Sequence, residues 1–196
     1  MENGKDKCSN DYKWGWPVLP ETNKVQVKEA YRSYSPPFDV LATVYQLLDA
    51  VPDNYLQGLD CVVLMNLGGL SRKDRIGKVW SRKRRVDKSY ILGRYHPRSR
   101  NSPPYIELRV DKIIEGLRGK FLWLPFLREL VFGHVLFHEL GHHIHYTIRP
   151  EHREKEDVAD KWAGKLNGNF ILKKYWYARP IIIPAAKIYT WVKRKR

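Results

Sequence analysis

The segment His138-Glu139-Leu140-Gly141-His142 carries the residue types of a hydrolytic zinc site at helical spacing. Residues i and i+4 of a helix lie on one face, so His138 and His142 can both direct a ring nitrogen at one ion, about 2.0–2.1 Å away. Glu139 lies about 100° around the same helix, beside the metal rather than on it. Zinc lowers the pKa of a bound water toward ~7, and Glu139 can take its proton as the water attacks a carbonyl. The pattern therefore predicts hydrolysis with Glu139 as the general base.

A zinc hydrolase needs three protein ligands and one open position, and the next acidic segment offers the third ligand. Glu156, 14 residues after His142, is paired at i+4 with Asp160. Two alanines on the same helix would let it approach the first helix closely. We expect Glu156 to bind the metal and Asp160 to accept a hydrogen bond from the far nitrogen of His138, which fixes its tautomer. The alternative is a surface helix that happens to be acidic.

Together, His138–His142 and the segment Glu156-x-x-Ala159-Asp160-x-Trp162-Ala163 resemble the gluzincin pattern, HExxH followed by ExxA(D/N)xxA. Within the gluzincins the chain is most similar to the small ImmA/IrrE-like metallopeptidases, and more loosely to the HtpX-like ones. The resemblance implies a zinc metalloendopeptidase with one Zn²⁺, which performs limited proteolysis of a regulatory protein. The chain departs from the ImmA/IrrE-like pattern just before the first histidine, where Val135-Leu136-Phe137 replaces a Thr-x-Ala-like segment.

Other histidines near the motif are rival ligands. His143 and His145 lie off the face of His138, and His145 is predicted to be a polar cleft or surface residue. His152 is an alternative third ligand of the kind used by SprT-like peptidases, although its position favours a helix start. The metzincin arrangement is excluded because Ile148 stands ten residues after the first ligand. Four side chains are candidate donors to an oxyanion, each predicted to be structural instead: His96, Tyr146, Tyr175 and Tyr177.

The elements that position these residues follow from periodicity. Helical spacing predicts a helix over 39–51 with Asp39 as its cap, and two helices over about 126–146 and 151–166. A β-branched run predicts a buried strand over 59–67, and two further strands are predicted over 90–95 and 105–110. The order indicates an α+β domain, with a small mixed or antiparallel sheet of about three to four strands. We expect the sheet to pack against the HExxH helix and the Glu156 helix.

The predicted strand over 105–110 alternates apolar residues with Glu107 and Arg109. Such alternation is typical of a half-exposed antiparallel or edge strand. An edge strand can accept an extended peptide by β-augmentation. We therefore expect the protein or peptide substrate to lie along Tyr105–Val110.

Length and composition limit the organisation of the chain. At 196 residues one core suffices, and we assign 1–24 as a polar arm and 25–196 as a single zincin-like domain. No apolar stretch reaches the roughly 18–20 residues that span a bilayer. The N-terminus lacks the layout of a signal peptide, and only two cysteines occur. These features predict a cytoplasmic protein without a membrane span.

A basic stretch follows the first predicted strand. Residues 72–88 contain nine Lys or Arg and two acids around Trp80, and the whole chain has a net charge of +15. Clustered cations beside an aromatic side chain can bind a phosphate backbone or an acidic protein, and a solvated basic hairpin is the simpler alternative. A second hypothesis for function is therefore a nucleic-acid-binding or regulatory protein with a structural or vestigial zinc site.

Overall fold

The computed structural model describes residues 25–70, 76–81, 84–100, 102–117, 122–150, 155–178 and 180. The predicted arm, 1–24, lies outside these ranges. In chain order, the strands are β1 (Gln26–Ala30), β2 (Cys61–Met65), β3 (Lys78–Ser81), β4 (Arg84–Asp87), β5 (Gly93–His96) and β6 (Tyr105–Arg109). The helices are α1 (Val40–Leu48), α2 (Asp53–Leu56), α3 (Val110–Gly116), α4 (Pro125–Thr147) and α5 (Lys155–Lys174).

Four strands form a mixed sheet in the order β1-β2-β6-β5. Strands β1, β2 and β6 are parallel, and β5 is antiparallel to β6. All five residues of β2 are buried, as its central position between two parallel neighbours requires. The predicted α+β fold with a small mixed sheet is confirmed. Strands β3 and β4 form a separate antiparallel hairpin.

The prediction that 105–110 is an edge strand is wrong, because β6 lies between β2 and β5 and is buried throughout. Its alternating charged residues lie on the second face of the sheet, where they have partners. The Glu107 carboxylate is 3.1 Å from Nε2 of His96, and the Arg109 guanidinium donates to the carbonyl of Lys88. A buried, paired charge gives the same alternation as an exposed one. Among the described strands, the edges of the sheet are β1 and β5.

Helix α1 begins as its sequence predicts. Asp39 adopts an extended conformation, and its Oδ1 accepts a hydrogen bond from the Ala42 amide at 2.8 Å. Such a cap stabilises a helix by about 1 kcal/mol. The helix ends at Leu48, three residues before the predicted end at Val51.

The face of the sheet opposite Glu107 and Arg109 packs against α4, with α1 and α5 alongside. Phe132, Leu136, Phe137 and Leu140 are fully buried there, and each contributes on the order of 1.5–3 kcal/mol. The predicted bounds of α4 are correct to one residue at each end. Helix α5 continues past its predicted end to Lys174, with Phe170 and Ile171 buried in the core. None of the helices within the described ranges is long and apolar enough to cross a bilayer.

Candidate metal centre

Helices α4 and α5 are in close contact at Gly141. A Cβ atom added there would lie 2.7 Å from Cα of Ala159 and 2.9 Å from its carbonyl oxygen, closer than real Cβ atoms come. A second close contact lies two turns earlier, where a Cβ at Gly133 would lie 2.7 Å from Oδ1 of Asn167. These two glycines let α5 lie directly along α4, which brings Glu156 over the histidines of the HExxH motif.

His138, His142 and Glu156 converge at the helix interface. Each offers one ligand atom, and these atoms all lie within 4.8 Å of one another. The Glu156 carboxylate is 3.5 Å from Nε2 of His138 and 3.9 Å from Nε2 of His142, and the imidazole rings are nearly perpendicular. Two imidazole nitrogens and one carboxylate oxygen, all partly exposed, are donor atoms that divalent transition metals bind in proteins. The three side chains fit a divalent metal ion.

Asp160 lies one turn further along α5. Its Oδ1 is 3.0 Å from Nδ1 of His138, the nitrogen that faces away from the other two ligands. A hydrogen bond from Nδ1–H to this carboxylate leaves the lone pair of Nε2 directed at the site. The arrangement fixes both the tautomer and the ring orientation of His138.

The second histidine is neutral near pH 7. Burial, reinforced by the neighbouring His138, lowers the pKa of His142 to about 4. A metal ion needs a deprotonated imidazole ligand. No proton therefore has to leave His142 when an ion binds at neutral pH.

Glu139 is buried between the ligands and strand β5. Its Oε2 accepts a hydrogen bond from the backbone N–H of Tyr95 at 2.7 Å. A Cβ atom at Gly93 would lie only 2.9 Å from Cγ of Glu139, so the strand backbone contacts this side chain directly. Burial raises the pKa of Glu139 to about 8, although the bond from Tyr95 opposes the shift. A cation held by the adjacent ligands would lower that pKa again.

His143 has a role that the sequence did not reveal. Its ring is fully buried, with Nε2 3.1 Å from the Gln57 carbonyl and Nδ1 3.2 Å from the Tyr95 hydroxyl. Burial lowers the pKa of His143, so the neutral ring donates from Nε2 and accepts at Nδ1. It thereby fixes Tyr95, whose amide holds Glu139. Its only signal in the sequence was its position off the metal-ligand face.

None of the remaining candidates within the described residues belongs to the ligand cluster. His145 is buried against the ring of Tyr146 rather than exposed, and His152 is outside the described residues. His96 lies on the second face of the sheet, and the Tyr175 hydroxyl donates to Glu129 near the other end of α4. Tyr177 packs against Tyr175. Of the four candidate oxyanion donors, Tyr146 is the one beside the site. Its hydroxyl accepts a hydrogen bond from Lys155, and its ring contacts that of Tyr95.

Substituting Gly141 with alanine is expected to separate the two helices. The added methyl group meets backbone atoms of Ala159 that cannot rotate away. We expect the free energy of unfolding to fall by about 1–3 kcal/mol and zinc to bind more weakly. Urea denaturation and zinc titration measure the two effects.

Gly164→Ala is the matched control, because a Cβ at Gly164 on α5 meets nothing within 4 Å. Because this position is exposed, the higher helix propensity of alanine should raise the free energy of unfolding by up to about 1 kcal/mol. Equal effects of the two substitutions would show that the contact at Gly141 does not position α5.

None of the protein families, curated proteins and solved structures with which the chain was compared matches it. The resemblance of the two motifs to gluzincins therefore stays a prediction. Any function proposed for the chain rests on the residues of the site and on their geometry.

Proposed function

We propose that this protein is a zinc metalloendopeptidase. The observation that carries the proposal is the convergence of His138, His142 and Glu156 within 4.8 Å, beside the buried carboxylate of Glu139. A ligand set without a neighbouring base would suit a structural zinc site equally well. The base beside an open coordination position favours hydrolysis.

The side chains divide the proposed reaction between metal binding and proton transfer. A bound zinc ion would polarise both a water molecule and the carbonyl group of the scissile bond. His138, His142 and Glu156 hold the ion, and Asp160 orients the first of them. Glu139 takes a proton from the attacking water and donates it to the leaving amine.

Strand β5 is the edge along which we expect the substrate to bind, in place of β6. The backbone N–H of Tyr95 points from β5 toward Glu139, so this edge of the sheet faces the candidate site. An extended peptide added beside β5 would lie next to the base and the metal ligands. A protein substrate in an extended conformation fits this edge, and the gluzincin resemblance suggests limited proteolysis of a regulatory protein.

The proposal is tested with the purified protein, zinc and fluorescently labelled casein. We expect one equivalent of bound zinc, cleavage of casein that a chelator stops, and recovery of cleavage when zinc is returned. Failure to bind zinc would refute the metal centre. Stoichiometric zinc without cleavage of casein or of a mixed peptide library would refute the peptidase while leaving the metal centre intact.

Gly93→Ala is expected to impair hydrolysis without removing the metal. The new methyl group would lie 2.9 Å from Cγ of Glu139 and 2.9 Å from Cγ1 of Val135, both buried side chains. Displacement of the base by about 1 Å can cost on the order of 100-fold in rate. We expect that loss in kcat/KM with zinc stoichiometry unchanged. Gly116→Ala, where a Cβ meets nothing within 4 Å, should have wild-type activity.

A second candidate function is nucleic-acid binding through the β3–β4 hairpin. The observation that favours it is that this hairpin pairs apart from the main sheet, within the basic stretch 72–88. A two-stranded ribbon fits the major groove of DNA. Charge reversal at Arg82 and Lys83 distinguishes the candidates. If the reversal abolishes the phenotype that the protein confers on its cell, and Glu139→Gln leaves that phenotype unchanged, the binding function is supported.

A further inference from the structure

Four large apolar side chains are exposed together where α4 begins and α5 ends. Trp123, Leu124, Trp176 and Tyr177 have exposed fractions of 85%, 51%, 67% and 65%. We call these four residues the aromatic patch. Single exposed apolar residues are normal on a protein surface, but a contiguous group marks an interaction site.

Ring contacts beside the patch place its two halves at the same end of the helix pair α4–α5. The ring of Phe126, just after Leu124, lies 5.1 Å from that of Tyr175, and Tyr177 lies 6.1 Å from Tyr175 and 6.4 Å from Trp176. Below them, the buried Glu129 carboxylate accepts from Tyr175 at 2.9 Å and from Lys174 at 2.7 Å. These hydrogen bonds and ring contacts connect α4 to the end of α5 beneath the patch.

The patch is remote from the candidate metal centre. Glu156 lies in the first turn of α5, whereas Trp176 follows its last residue, Lys174. A helix of that length separates them by about 30 Å. The patch therefore needs a partner other than a peptide in the candidate active site.

The charge of the chain favours one kind of partner. Residues 161–196 contain ten Lys or Arg and no Asp or Glu, which accounts for two-thirds of the net charge of +15. The same segment carries the apolar run Ile181-Ile182-Ile183 and ends in Lys193-Arg194-Lys195-Arg196. Two copies of a chain with a net charge of +15 would repel each other, so an anionic partner is favoured over a second copy.

We propose that the aromatic patch docks this protein on an anionic lipid surface. Trp and Tyr rings settle at the headgroup level of a bilayer, and nearby Lys and Arg side chains bind acidic lipids. Aliphatic Leu124 gains from contact with acyl chains but offers no stacking surface to nucleobases. Shallow insertion combined with basic charge suffices for reversible binding, without a spanning helix. The metal centre, at the opposite end of the helix pair, would remain in water.

Co-sedimentation with lipid vesicles tests the proposal on the full chain. We expect binding to phosphatidylcholine vesicles that contain phosphatidylserine, little binding to phosphatidylcholine alone, and weaker binding as salt rises. Trp123→Ser/Trp176→Ser should weaken binding about tenfold or more. Ile76→Ser/Tyr90→Ser is the control, since Ile76 and Tyr90 are similarly exposed, at 63% and 75%, outside the patch. It should change binding by less than about twofold.

A conservative variant separates docking from a general loss of structure. Lipids brominated on their acyl chains should quench the tryptophan fluorescence of the wild type. Trp123→Phe/Trp176→Phe, which retains an aromatic ring at each position, should keep binding but lose much of that quenching. Unchanged vesicle binding by the serine variant would overturn the proposal. So would a serine variant that loses dimerisation, or duplex-DNA binding, instead of vesicle binding.

Discussion

Replacing Glu139 with glutamine is expected to lower kcat/KM for peptide hydrolysis by about 100- to 10,000-fold while one equivalent of zinc stays bound. The amide has the shape of the carboxylate, and its oxygen can still accept the bond from Tyr95 N–H. It cannot accept a proton from water, so the reaction loses its base. Cleavage of labelled casein and zinc content, measured on the same preparation, give the two results.

Glu115→Gln is the matched control for this substitution. Glu115 is an exposed glutamate on α3, paired with Lys112, and its replacement should change neither zinc content nor rate. If Glu139→Gln also retained the wild-type rate with zinc bound, Glu139 would not be the base.

The same variant should alter the pH dependence of stability in the metal-free protein. Burial raises the pKa of Glu139 from 4.5 to about 8, so the folded state holds a proton that the unfolded state releases between these values. Its contribution to stability is therefore present at low pH and declines as pH rises from about 4.5 toward 8. Unfolding free energies of wild type and Glu139→Gln should diverge over that interval. Parallel curves would show that the carboxyl group ionises normally.

Replacing Glu156 with alanine is expected to weaken zinc binding by more than about 100-fold. Only the two imidazole ligands would remain, because the substitution removes the carboxylate oxygen. Asp160→Asn, which perturbs the partner of His138 but removes no ligand, should cost about 10- to 100-fold. Competition with a chelator of known affinity measures all three proteins.

Neighbouring residues provide the control and the contradicting outcome. Asp157 is exposed on α5 and outside the ligand cluster, so Asp157→Ala should bind zinc like the wild type. If Glu156→Ala kept wild-type affinity while His152→Ala lost it, the third ligand would be a histidine. The Glu156 assignment would then be wrong.

Local helical geometry is what the sequence determined. The i and i+4 spacing of His138 with His142, and of Glu156 with Asp160, places each pair on one face in any helix. The capping by Asp39 and the extent of α4 follow from the same short-range rules, and both agree with the structure. These features depend only on residues a few positions apart.

The tertiary structure decided everything that depends on distant neighbours. Alternating polarity cannot show whether the partner of Glu107 is water or the half-buried His96. The sequence therefore predicts an edge strand at β6, whereas the edges of the described sheet are β1 and β5. Helix α5 extends beyond its predicted end because α4 and the core bury its last apolar residues. Glu139 is held by Tyr95, and Tyr95 by His143, through hydrogen bonds between residues more than forty positions apart in the sequence. Periodicity reports which side chains share a face, whereas burial and strand order depend on which surfaces meet when the chain folds.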